Sequence, residues 1–546
     1  MYVSPFGDDA SNGCDYRQPK RTIQSAIERV KSWRAVAHVI RACEGEYKGP
    51  FVIDHSVSLE GGYTCDWFSR PPAYAWPNFG GPRTVLTTAY GDDKTVVAVA
   101  WADGVRLDGL DVIATTGSFA IDLGATTNAV VRDCRVLGGG SSWPSAGIQV
   151  GYQTSASIVH DRVDGGHGFA SSDHQRSSVG VWVRANAGAV RVEESDISGG
   201  RGNSVGSWDH GPAGIVVESG PTLVRGNRVR GGAGAGGGQD VSTGIAIDHA
   251  SSVQVVGNRV DSGTAYCQGP SWCQSEAIDV VDSHDVTIDA NRVYGGDWEI
   301  PALFGANGVD VLRSHDVQVT NNFVHGGNRA NKSLFFINAV NVQSSQRVVV
   351  AHNTVFSGHA ELGTALFVLN TLDASVMDNL LMAADNATNA NVAACGTTTL
   401  ADFAGNALVG GRGVATSLPI QGCTYGNPER VPAAILARLA QNFGLSPSHA
   451  TNNELFDASC AVADCVVVPG CVDADTCRSG LFGPTASLDD GVADLFGSGW
   501  VPALTSPCEL QTKGVDTTQW VSHDAFSQPR SKPPTVGALE YRGACR

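Results

Sequence analysis

One short phrase recurs nine or ten times through the middle of this 546-residue chain, and it constrains the fold more than any other feature. Its clearest copies are Val253–Val260 (VQVVGNRV), Val286–Val293 (VTIDANRV) and Val317–Val324 (VQVTNNFV). The polar residue before the last apolar pair recurs from Asp161 to Asn353 in steps of 34, 32, 31, 33, 31 and 31 residues. A fixed period of this size indicates a repeat architecture in which each repeat is one supersecondary unit.

Each repeat contains three short apolar alternations separated by turns. In the copy 222–252 these are TLVRG, RVRGG and, after a Gly-rich excursion, GIAID. Alternation with a period of two over so few residues fits half-buried strands and is too short for a helix. Three strands per repeat, each lying on its copy in the next repeat, predict three parallel sheets wound into a solenoid.

The repeated polar position forms a column if the repeats stack. Its members are Leu110, Cys134, Asp161, Ser195, Asn227, Asn258, Asn291, Asn322, Asn353 and Asn379. Neighbouring members would lie about 4.8 Å apart, the spacing of hydrogen-bonded strands. At that distance asparagine amides can pair in a ladder, and asparagine also tolerates the left-handed backbone of a tight turn. We therefore predict an asparagine ladder, with apolar packing in place of the ladder at Leu110 and Cys134.

This repeat, with its asparagine turn and long loops, resembles the right-handed parallel β-helix of the pectate-lyase-like superfamily. The resemblance covers roughly residues 36–395 and implies an all-β fold: a single-stranded solenoid of three parallel sheets. It also implies an N-terminal capping helix and a disulfide-rich C-terminal cap. The same fold carries lyases, hydrolases, epimerases, phage spikes and non-catalytic surface proteins, so it predicts no single activity.

The repeat boundaries divide the chain into three predicted parts. Residues 1–95 form an N-terminal cap with the first irregular coils, residues 96–390 the repeats, and residues 391–546 the C-terminal cap. In the first part, the apolar face of Ile23, Ile27 and Val30 predicts a helix that covers the open first coil. In the last, Pro428–Gly444 is a second predicted amphipathic helix, and the final segment resembles one that packs back along the solenoid.

Charge and hydropathy limit the partners of the protein. A net charge of −17 argues against nucleic acid, because the chain has no basic stripe to neutralise phosphates. The same charge would repel an acidic polysaccharide unless a cation bridges the two. The sequence has no run of eighteen apolar residues, so we expect no transmembrane segment.

The cysteines and the N-terminus indicate export. Fourteen cysteines, an even number placed mainly in loops, favour disulfides and an oxidising compartment. Cys267–Cys273 is the most plausible local pair, whereas Cys134 is predicted to be a buried free thiol or the partner of an adjacent rung. The start of the chain reads as a mature sequence with an added Met, its signal removed. We therefore expect a secreted or cell-surface protein.

Acidic residues line one predicted strand face. Asp279, Asp310 and Asn341 occupy outward positions in one column, with Asp248 one rung earlier. Carboxylates about 5 Å apart repel each other and must share a proton or a cation. Such groups suit the calcium site of a lyase or the carboxylate pair of a glycosidase.

The resemblance suggests roles for these residues. In the related calcium-dependent lyases, a Lys or Arg removes the proton next to a uronate carboxylate that calcium neutralises. By analogy, Asp248, Asp279 and Asp310 would hold Ca²⁺, and Lys332 or Arg313 would be the base. Asp279 and Asp310 are thus catalytic candidates as well as metal ligands. In the alternative interpretation, the Asp residues solvate a sheet face and Lys332 is an ordinary loop residue.

Two further sets of loop residues could bind ligands. The aromatic faces of Trp208, Trp272 and Trp298, together with Asn341, suit sugar rings in a groove between the long loops. A second set could bind a transition metal or be plain polar surface: His167, Asp173, His174, Asp209 and His210.

Two functional hypotheses remain open from the sequence. In the first, an exported β-helix protein binds a polysaccharide and cleaves it by metal-assisted elimination, as a polysaccharide lyase; a glycoside hydrolase is the less favoured enzyme. In the second, which is nearly as well supported, the protein is a non-catalytic adhesin-like or structural solenoid that binds a glycan or a protein.

Overall fold

The computed structural model describes most of the repeats and parts of the two ends. The described residues are 1–32, 38–67, 81–88, 95–116, 119–140, 145–166, 178–202, 212–234, 240–264, 273–298, 305–329, 336–358, 362–383, 390–410, 414–415, 454–457, 465–467, 521–525 and 527–530. Within these residues the strands form three long parallel sheets. We number the sheets by the order of their strands within a repeat; sheets 1, 2 and 3 have 14, 15 and 13 strands.

Sheet 1 holds the strand before the asparagine turn, and sheet 2 the short strand after it. The strands of sheet 1 are Tyr2–Val3, Val39–Cys43, Ser58–Tyr63, Arg106–Asp108, Ala129–Arg132, Ala156–Val159, Val190–Glu193, Thr222–Arg225, Ser251–Val256, His284–Asp289, His315–Thr320, Gln346–Ala351, Ala374–Met377 and Leu400–Ala404. Those of sheet 2 are Gly45–Lys48, Thr84–Thr87, Asp111–Ile113, Arg135–Leu137, Arg162–Asp164, Asp196–Ser198, Arg228–Arg230, Arg259–Asp261, Arg292–Tyr294, Phe323–His325, Thr354–Phe356, Leu380–Ala383, Ala407–Gly410, Glu454–Asp457 and Cys465–Val467.

Sheet 3 holds the strand that follows the long loops. Its strands are Phe51–Ile53, Val97–Ala100, Phe119–Gly124, Ser145–Val150, Ser178–Val183, Ala213–Val217, Asp240–Asp248, Cys273–Val281, Ala306–Leu312, Phe336–Gln343, Leu362–Leu369, Ala390–Cys395 and Val414–Ala415. Two small parallel pairs lie outside the three sheets: Arg201–Gly202 with Ala233–Gly234, and Asp297–Trp298 with Asn328–Arg329. The predicted solenoid of three parallel sheets is confirmed.

The chain divides into two compact units. One contains Met1–Val253 and Gly263–Ser271, and the other contains Gln254–Ser262 and Trp272–Arg546. We call them the N-terminal and C-terminal units. In both, alternate strand residues are aliphatic and almost fully buried, as Val181 and Ile215 are in the first unit and Val309 and Val340 in the second. This burial supplies the main stabilising energy of each coil, since apolar surface removed from water contributes about 25 cal/mol per Å².

The asparagine ladder is confirmed within the C-terminal unit. The Oδ1 atom of Asn291 accepts hydrogen bonds from the backbone N and the Nδ2 of Asn258, at 2.8 and 3.0 Å. The same paired bonds join each later member to the next, ending at a residue the sequence reading did not include, Asn406. All six asparagines are buried. The ladder therefore satisfies buried donors and acceptors at every turn.

The same column in the N-terminal unit uses other side chains. The backbone N of Cys134 donates to Asp161 Oδ1 at 2.7 Å, and Asp161 N donates to Ser195 Oγ at 3.0 Å. Ser195 N in turn donates to Asn227 Oδ1 at 2.9 Å. Cys134 is a buried free thiol, which was one of the two predicted alternatives. From Asp161 onwards a side-chain oxygen accepts from the backbone of the preceding rung, and Asp, Ser and Asn all supply it.

The described ends of the chain pack on their own units. The predicted N-terminal helix is present as Ile23–Lys31, capped by Thr22, whose side chain accepts from Ser25 N at 3.3 Å. Its buried face includes Ile23, Ile27 and Val30, and the helix contacts the first strands of sheets 1 and 3. A disulfide joins Cys43 to Cys65. No described helix is long and apolar enough to cross a membrane.

Part of the C-terminal segment returns to the C-terminal unit. Val521 packs against Ala351 and Met377, and Arg530 Nη2 donates to Asn321 Oδ1 at 2.6 Å. These contacts agree with the expected closing segment. The predicted second helix Pro428–Gly444 and the Cys267 partner of Cys273 lie outside the described residues. The proposed three-part domain division stays a prediction.

Candidate functional site

The candidate site lies on the outer face of sheet 3 in the C-terminal unit. Strands here share a four-residue pattern of a polar residue, a small residue, an aliphatic residue and a polar residue: EAID at 276–279, NGVD at 307–310 and NAVN at 338–341. The aliphatic residue enters the core. The pairing skips the small residue, because Glu276 pairs with Asn307 and Ile278 with Val309. This local irregularity lets the two polar residues of one pattern meet, although they are three apart.

The predicted column is confirmed by strand register. Asp279 pairs with Asp310, and Asp310 pairs with Asn341. The alternative interpretation, in which the Asp residues solvate a sheet face, is wrong for this pair: Asp279 and Asp310 are only 7% and 5% exposed, and Asn341 is buried too. Taking carboxylates out of water is costly unless they are neutralised or paired. Burial therefore strengthens the case for a shared proton or cation.

Glu276 is a third carboxyl group that the sequence reading missed. It is 4% exposed, and one oxygen each of Glu276, Asp279 and Asp310 lie within 4.8 Å of one another. We call these three residues the carboxylate cluster. Glu276 also accepts a hydrogen bond from Gln274 Nε2. No other group of three buried potential metal ligands occurs among the residues that the structure describes.

Two asparagines fix the orientation of Asp310. Asn307 Nδ2 donates to Asp310 Oδ2 at 3.1 Å, and Asn341 Nδ2 donates to Asp310 Oδ1 at 2.9 Å. The amide oxygen of Asn341 accepts from Gln343 Nε2 at 3.1 Å, which sets the direction of that amide. Both oxygens of Asp310 thus have a neutral donor, so the carboxyl group is held in one orientation.

The cluster changes the acidity of its own members. Burial raises the pKa of Glu276 well above its usual value, and the charges of Asp279 and Asp310 act in the same direction. Burial and then the charge of Asp279 raise the pKa of Asp310 to about 7, against hydrogen bonds that favour its ionised form. The hydrogen bond between Glu276 and Asp310 raises the first pKa and lowers the second. This is the pattern of a protonated Glu276 that donates to Asp310.

The oxygen atoms of the cluster suit a hard divalent cation. Calcium binds oxygen ligands at about 2.3–2.6 Å, so two ligands of one ion can be at most about 5 Å apart. The 4.8 Å limit for the three carboxyl oxygens meets that condition. A glycosidase pair is a poorer fit, because its carboxyl groups stand about 5 Å or more apart around the scissile bond. Metal binding and proton sharing are the two states this geometry allows.

The other predicted site residues have polar partners of their own or lie outside the described residues. Arg313 forms a two-bond ion pair with Asp282, Nε to Oδ1 at 2.8 Å and Nη2 to Oδ2 at 2.7 Å. Asp248 belongs to the N-terminal unit, where its Oδ1 contacts His249 Nδ1 at 2.6 Å. The roles of Arg313 and Asp248 stay predictions.

The remaining predicted residues lie wholly or partly outside the part of the chain that the structure describes. Lys332, Trp208 and Trp272 lie outside the described residues, and of Trp298 only the backbone, in strand Asp297–Trp298, is described. The alternative histidine–aspartate set also lies outside them: His167, Asp173, His174, Asp209 and His210.

The same outer face has a different character in the N-terminal unit. There it forms a small apolar cluster: Ala146, Val179, Ala213, Val216 and Ala246, with Phe119 and Trp182 packed against it. The carboxylate cluster is therefore a local feature of a few coils. It is not a general property of the repeat.

Comparison with known proteins supports the β-helix fold. A family model described as the right-handed β-helix region matches residues 243–402, a segment that contains the carboxylate cluster. Among solved structures, the A-module of the mannuronan C-5 epimerase AlgE4 from Azotobacter vinelandii is 13% identical, with 74% of this chain and 95% of that chain covered and a TM-score of 0.41. No curated protein matches the chain.

Two other solved structures show a similar degree of likeness. The periplasmic alginate epimerase AlgG is 10% identical, with 70% of this chain and 77% of that chain covered and a TM-score of 0.36. The pectate lyase Pel9A is 12% identical, with 99% of this chain and 96% of that chain covered and a TM-score of 0.31.

Proposed function

The chain is a right-handed parallel β-helix protein, and we propose that it binds an acidic polysaccharide with the help of a Ca²⁺ ion held by Glu276, Asp279 and Asp310. One observation carries the proposal: three buried carboxyl groups present oxygens within 4.8 Å of one another. Three negative charges cannot coexist there without a neutralising partner. A cation can take the place of the shared proton, because it neutralises the same carboxylate charges.

The charge of the protein supports an acidic ligand that is bound only with the cation. A chain with a net charge of −17 repels a polyanion at long range, so a bridging cation is the simplest source of attraction. When bound, the ion would neutralise a uronate carboxylate. Asn307 and Asn341 hold Asp310 in one orientation by donating to both of its oxygens. That preorganisation lowers the cost of assembling the ligand set.

Cleavage by elimination is the finer part of the proposal. A base removes the proton on the carbon next to the uronate carboxylate, the electron pair forms a carbon–carbon double bond, and the glycosidic carbon–oxygen bond breaks. The departing oxygen then takes a proton. Lys332 and Arg313 are the candidate bases. The ion pair with Asp282 favours Lys332, because a guanidinium held by a carboxylate keeps its proton.

An extracellular or periplasmic location agrees with the covalent structure. The Cys43–Cys65 disulfide is the kind of bond that persists in oxidising compartments. Acidic polysaccharides are components of cell surfaces and matrices, so this location would bring the protein to the proposed ligand. Export remains part of the proposal.

A non-catalytic role is the second candidate, and burial favours it. The carboxylate cluster is more than nine-tenths buried, so a polymer cannot rest directly on all three groups in this conformation. In that case the ion would hold the coils and loops in the shape that binds a glycan, and no bond would be cleaved.

Two measurements test the proposal. Calorimetric titration with CaCl₂ at pH 8 should give one site in the wild type and none in Glu276→Gln or Asp279→Asn. The control Asp316→Asn removes an exposed carboxylate of the same unit that pairs with Arg347, and it should keep the site. Equal calcium binding in all four proteins would exclude the cluster as the site.

The second measurement separates enzyme from binding protein. A panel of uronate polymers is incubated with the protein, with and without calcium, and unsaturated product is followed by ultraviolet absorbance. Product that disappears in Lys332→Ala, and persists in Arg313→Ala, supports elimination with Lys332 as base. Calcium-dependent binding to the same polymers without product supports the non-catalytic role, and neither binding nor product contradicts both.

A further inference from the structure

A row of turns in the N-terminal unit carries a second set of ligand-binding features. Each turn leads from sheet 3 to sheet 1 and has a residue with left-handed backbone near its start; Trp101, Ala125, Gln153 and Asn186 have φ of 59°, 46°, 53° and 63°. Consecutive turns are hydrogen-bonded to each other: Trp101 N to Gly124 O at 3.3 Å, Ala125 N to Tyr152 O at 2.9 Å, and Gln153 N to Asn186 O at 2.9 Å. We call this set the turn row.

Two exposed aromatic side chains stand on the turn row. Trp101 is 80% exposed and Tyr152 is 56% exposed, and Ala125 occupies the rung between them. The two aromatic residues are thus two strand spacings apart, about 10 Å, with a small side chain between. A bulky residue with positive φ is strained, and such strain persists where the structure or a function requires it. The indole of Trp101 is largely exposed, so its face is available to a ligand.

Polar groups continue the row beyond the aromatics. Gln153 Nε2 donates to Tyr152 Oη at 2.9 Å, which orients the phenol. Further along, Asn186, Glu218 and His249 help to line a cleft of about 650 Å³ within the same unit. The row therefore offers flat apolar faces next to fixed hydrogen-bonding groups.

Glu218 is held rigidly at the cleft. Its Oε1 accepts from Trp182 Nε1 at 2.9 Å and its Oε2 accepts from Ala185 N at 3.2 Å. The guanidinium of Arg184 lies 4.2 Å from the Trp182 ring centroid and 3.5 Å from Glu218 Oε2. The charge of Glu218 is thus largely compensated, and the second carboxylate of the cleft, Asp248, contacts His249 Nδ1 at 2.6 Å.

We propose that the turn row binds a neutral oligosaccharide. Aromatic faces beside amides and carboxylates are the groups that recognise the C–H face and the hydroxyls of a pyranose. A chain of 1,4-linked pyranoses advances per ring by nearly the spacing of one coil, about 4.8 Å, so successive rings meet equivalent turns. Nucleic acid does not fit, because the row has no cationic excess. This site is separate from the proposed calcium site and needs no cation.

Binding to defined neutral hexasaccharides tests the proposal. Cellohexaose, xylohexaose, mannohexaose and maltohexaose are titrated calorimetrically into the full chain in EDTA, and at least one should bind. Tyr152→Ala and Trp101→Gly should weaken that binding at least tenfold. Trp101→Gly should not lower the melting temperature, because glycine suits positive φ, so loss of binding in this variant cannot be ascribed to unfolding.

Controls keep the two proposed sites distinguishable. Phe6→Ala removes a 90% exposed aromatic of the same unit that lies off the turn row, and Asp310→Asn alters the carboxylate cluster. Both should bind the hexasaccharide within twofold of the wild type. The proposal is overturned if none of the four sugars binds, or if Trp101→Gly and Tyr152→Ala stay within twofold. Loss of calcium binding alone would leave it intact.

Discussion

One carboxyl oxygen of Glu276 lies within 4.8 Å of a carboxyl oxygen of Asp310 on the adjacent strand, although the two residues belong to different columns of the repeat. Strict alternation would place residues three apart, such as Glu276 and Asp279, on opposite faces of a strand. The skipped pairing at Ala277 brings both to one face. The carboxylate cluster therefore depends on a small distortion that recurs from coil to coil.

Replacing Glu276 should change how stability depends on pH. Its pKa is raised in the folded state, so its contribution to stability is fully present below its ordinary pKa of 4.5 and is lost as pH rises. Glu276→Gln cannot ionise and avoids that loss. In EDTA the variant should exceed the wild type by about 1–3 kcal/mol at pH 8 and match it near pH 4.5. Urea denaturation across this range measures the difference, and a variant less stable at pH 8 would contradict the assignment.

The ion pair on the outer turn should show the opposite dependence. Hydrogen bonds from Arg347 and then His315 hold the pKa of Asp316 below its usual range, so its contribution is present at neutral pH and is lost as pH falls. The pair is about half exposed and its effect is screened, so Arg347→Ala should lower the stability only slightly at pH 7. The loss should shrink towards pH 2 in urea denaturation. A loss that stays the same as pH falls would contradict the assignment.

Truncating a middle rung of the asparagine ladder should be far more costly. Asn322 donates to Ile288 O at 2.8 Å and to Asn353 Oδ1 at 3.0 Å, and its Oδ1 accepts two bonds from Asn291. Asn322→Ala leaves these buried groups unsatisfied, and the expected loss is about 3–5 kcal/mol. The control Gln318→Ala, on the preceding strand and half-buried, should cost under about 1 kcal/mol. Equal losses of unfolding free energy in the two variants, measured by urea denaturation, would contradict a stabilising role of the ladder.

Two glycines of the N-terminal unit should respond oppositely to alanine. A Cβ on Gly220 would lie 1.5 Å from the carbonyl oxygen of Ser251, which the backbone cannot accommodate without moving. A Cβ on Gly124 would find its nearest neighbour, Val99 O, at 3.9 Å. Gly220→Ala should cost more than about 4 kcal/mol or prevent folding, and Gly124→Ala should be neutral or stabilise by up to about 1 kcal/mol. Soluble yield and urea midpoints give the comparison.

The repeat and the register could be predicted because both follow from periodicity. The Asn258, Asn291 and Asn322 copies fix the coil length, and the coil length places Asp279 beside Asp310. Alternation alone could not find Glu276, because it assumes a regular strand. The signal was present in the sequence as the recurring polar–small–aliphatic–polar pattern.

Burial and loop contacts could not be predicted in the same way. Alternation predicts that an outward position on sheet 3 leaves the core but does not predict whether it is solvated, so the burial of Asp279 could not be read from the sequence. Trp101 and Tyr152 escaped notice because they stand in short turns rather than in those loops. The left-handed backbone of Trp101 has no signature in a single sequence.

The side-chain hydrogen bonds of the asparagine ladder all run in one direction along the solenoid, and this affects how the chain could gain or lose coils. Each inner ladder asparagine of the C-terminal unit, from Asn291 to Asn379, donates towards the following rung and accepts from the preceding one, so these rungs present the same interface to their neighbours. Removing residues 292–322 would join Asn291 to Phe323, the in-register counterpart of Arg292. Whole coils could thus be excised or duplicated in a gene without inventing a new junction.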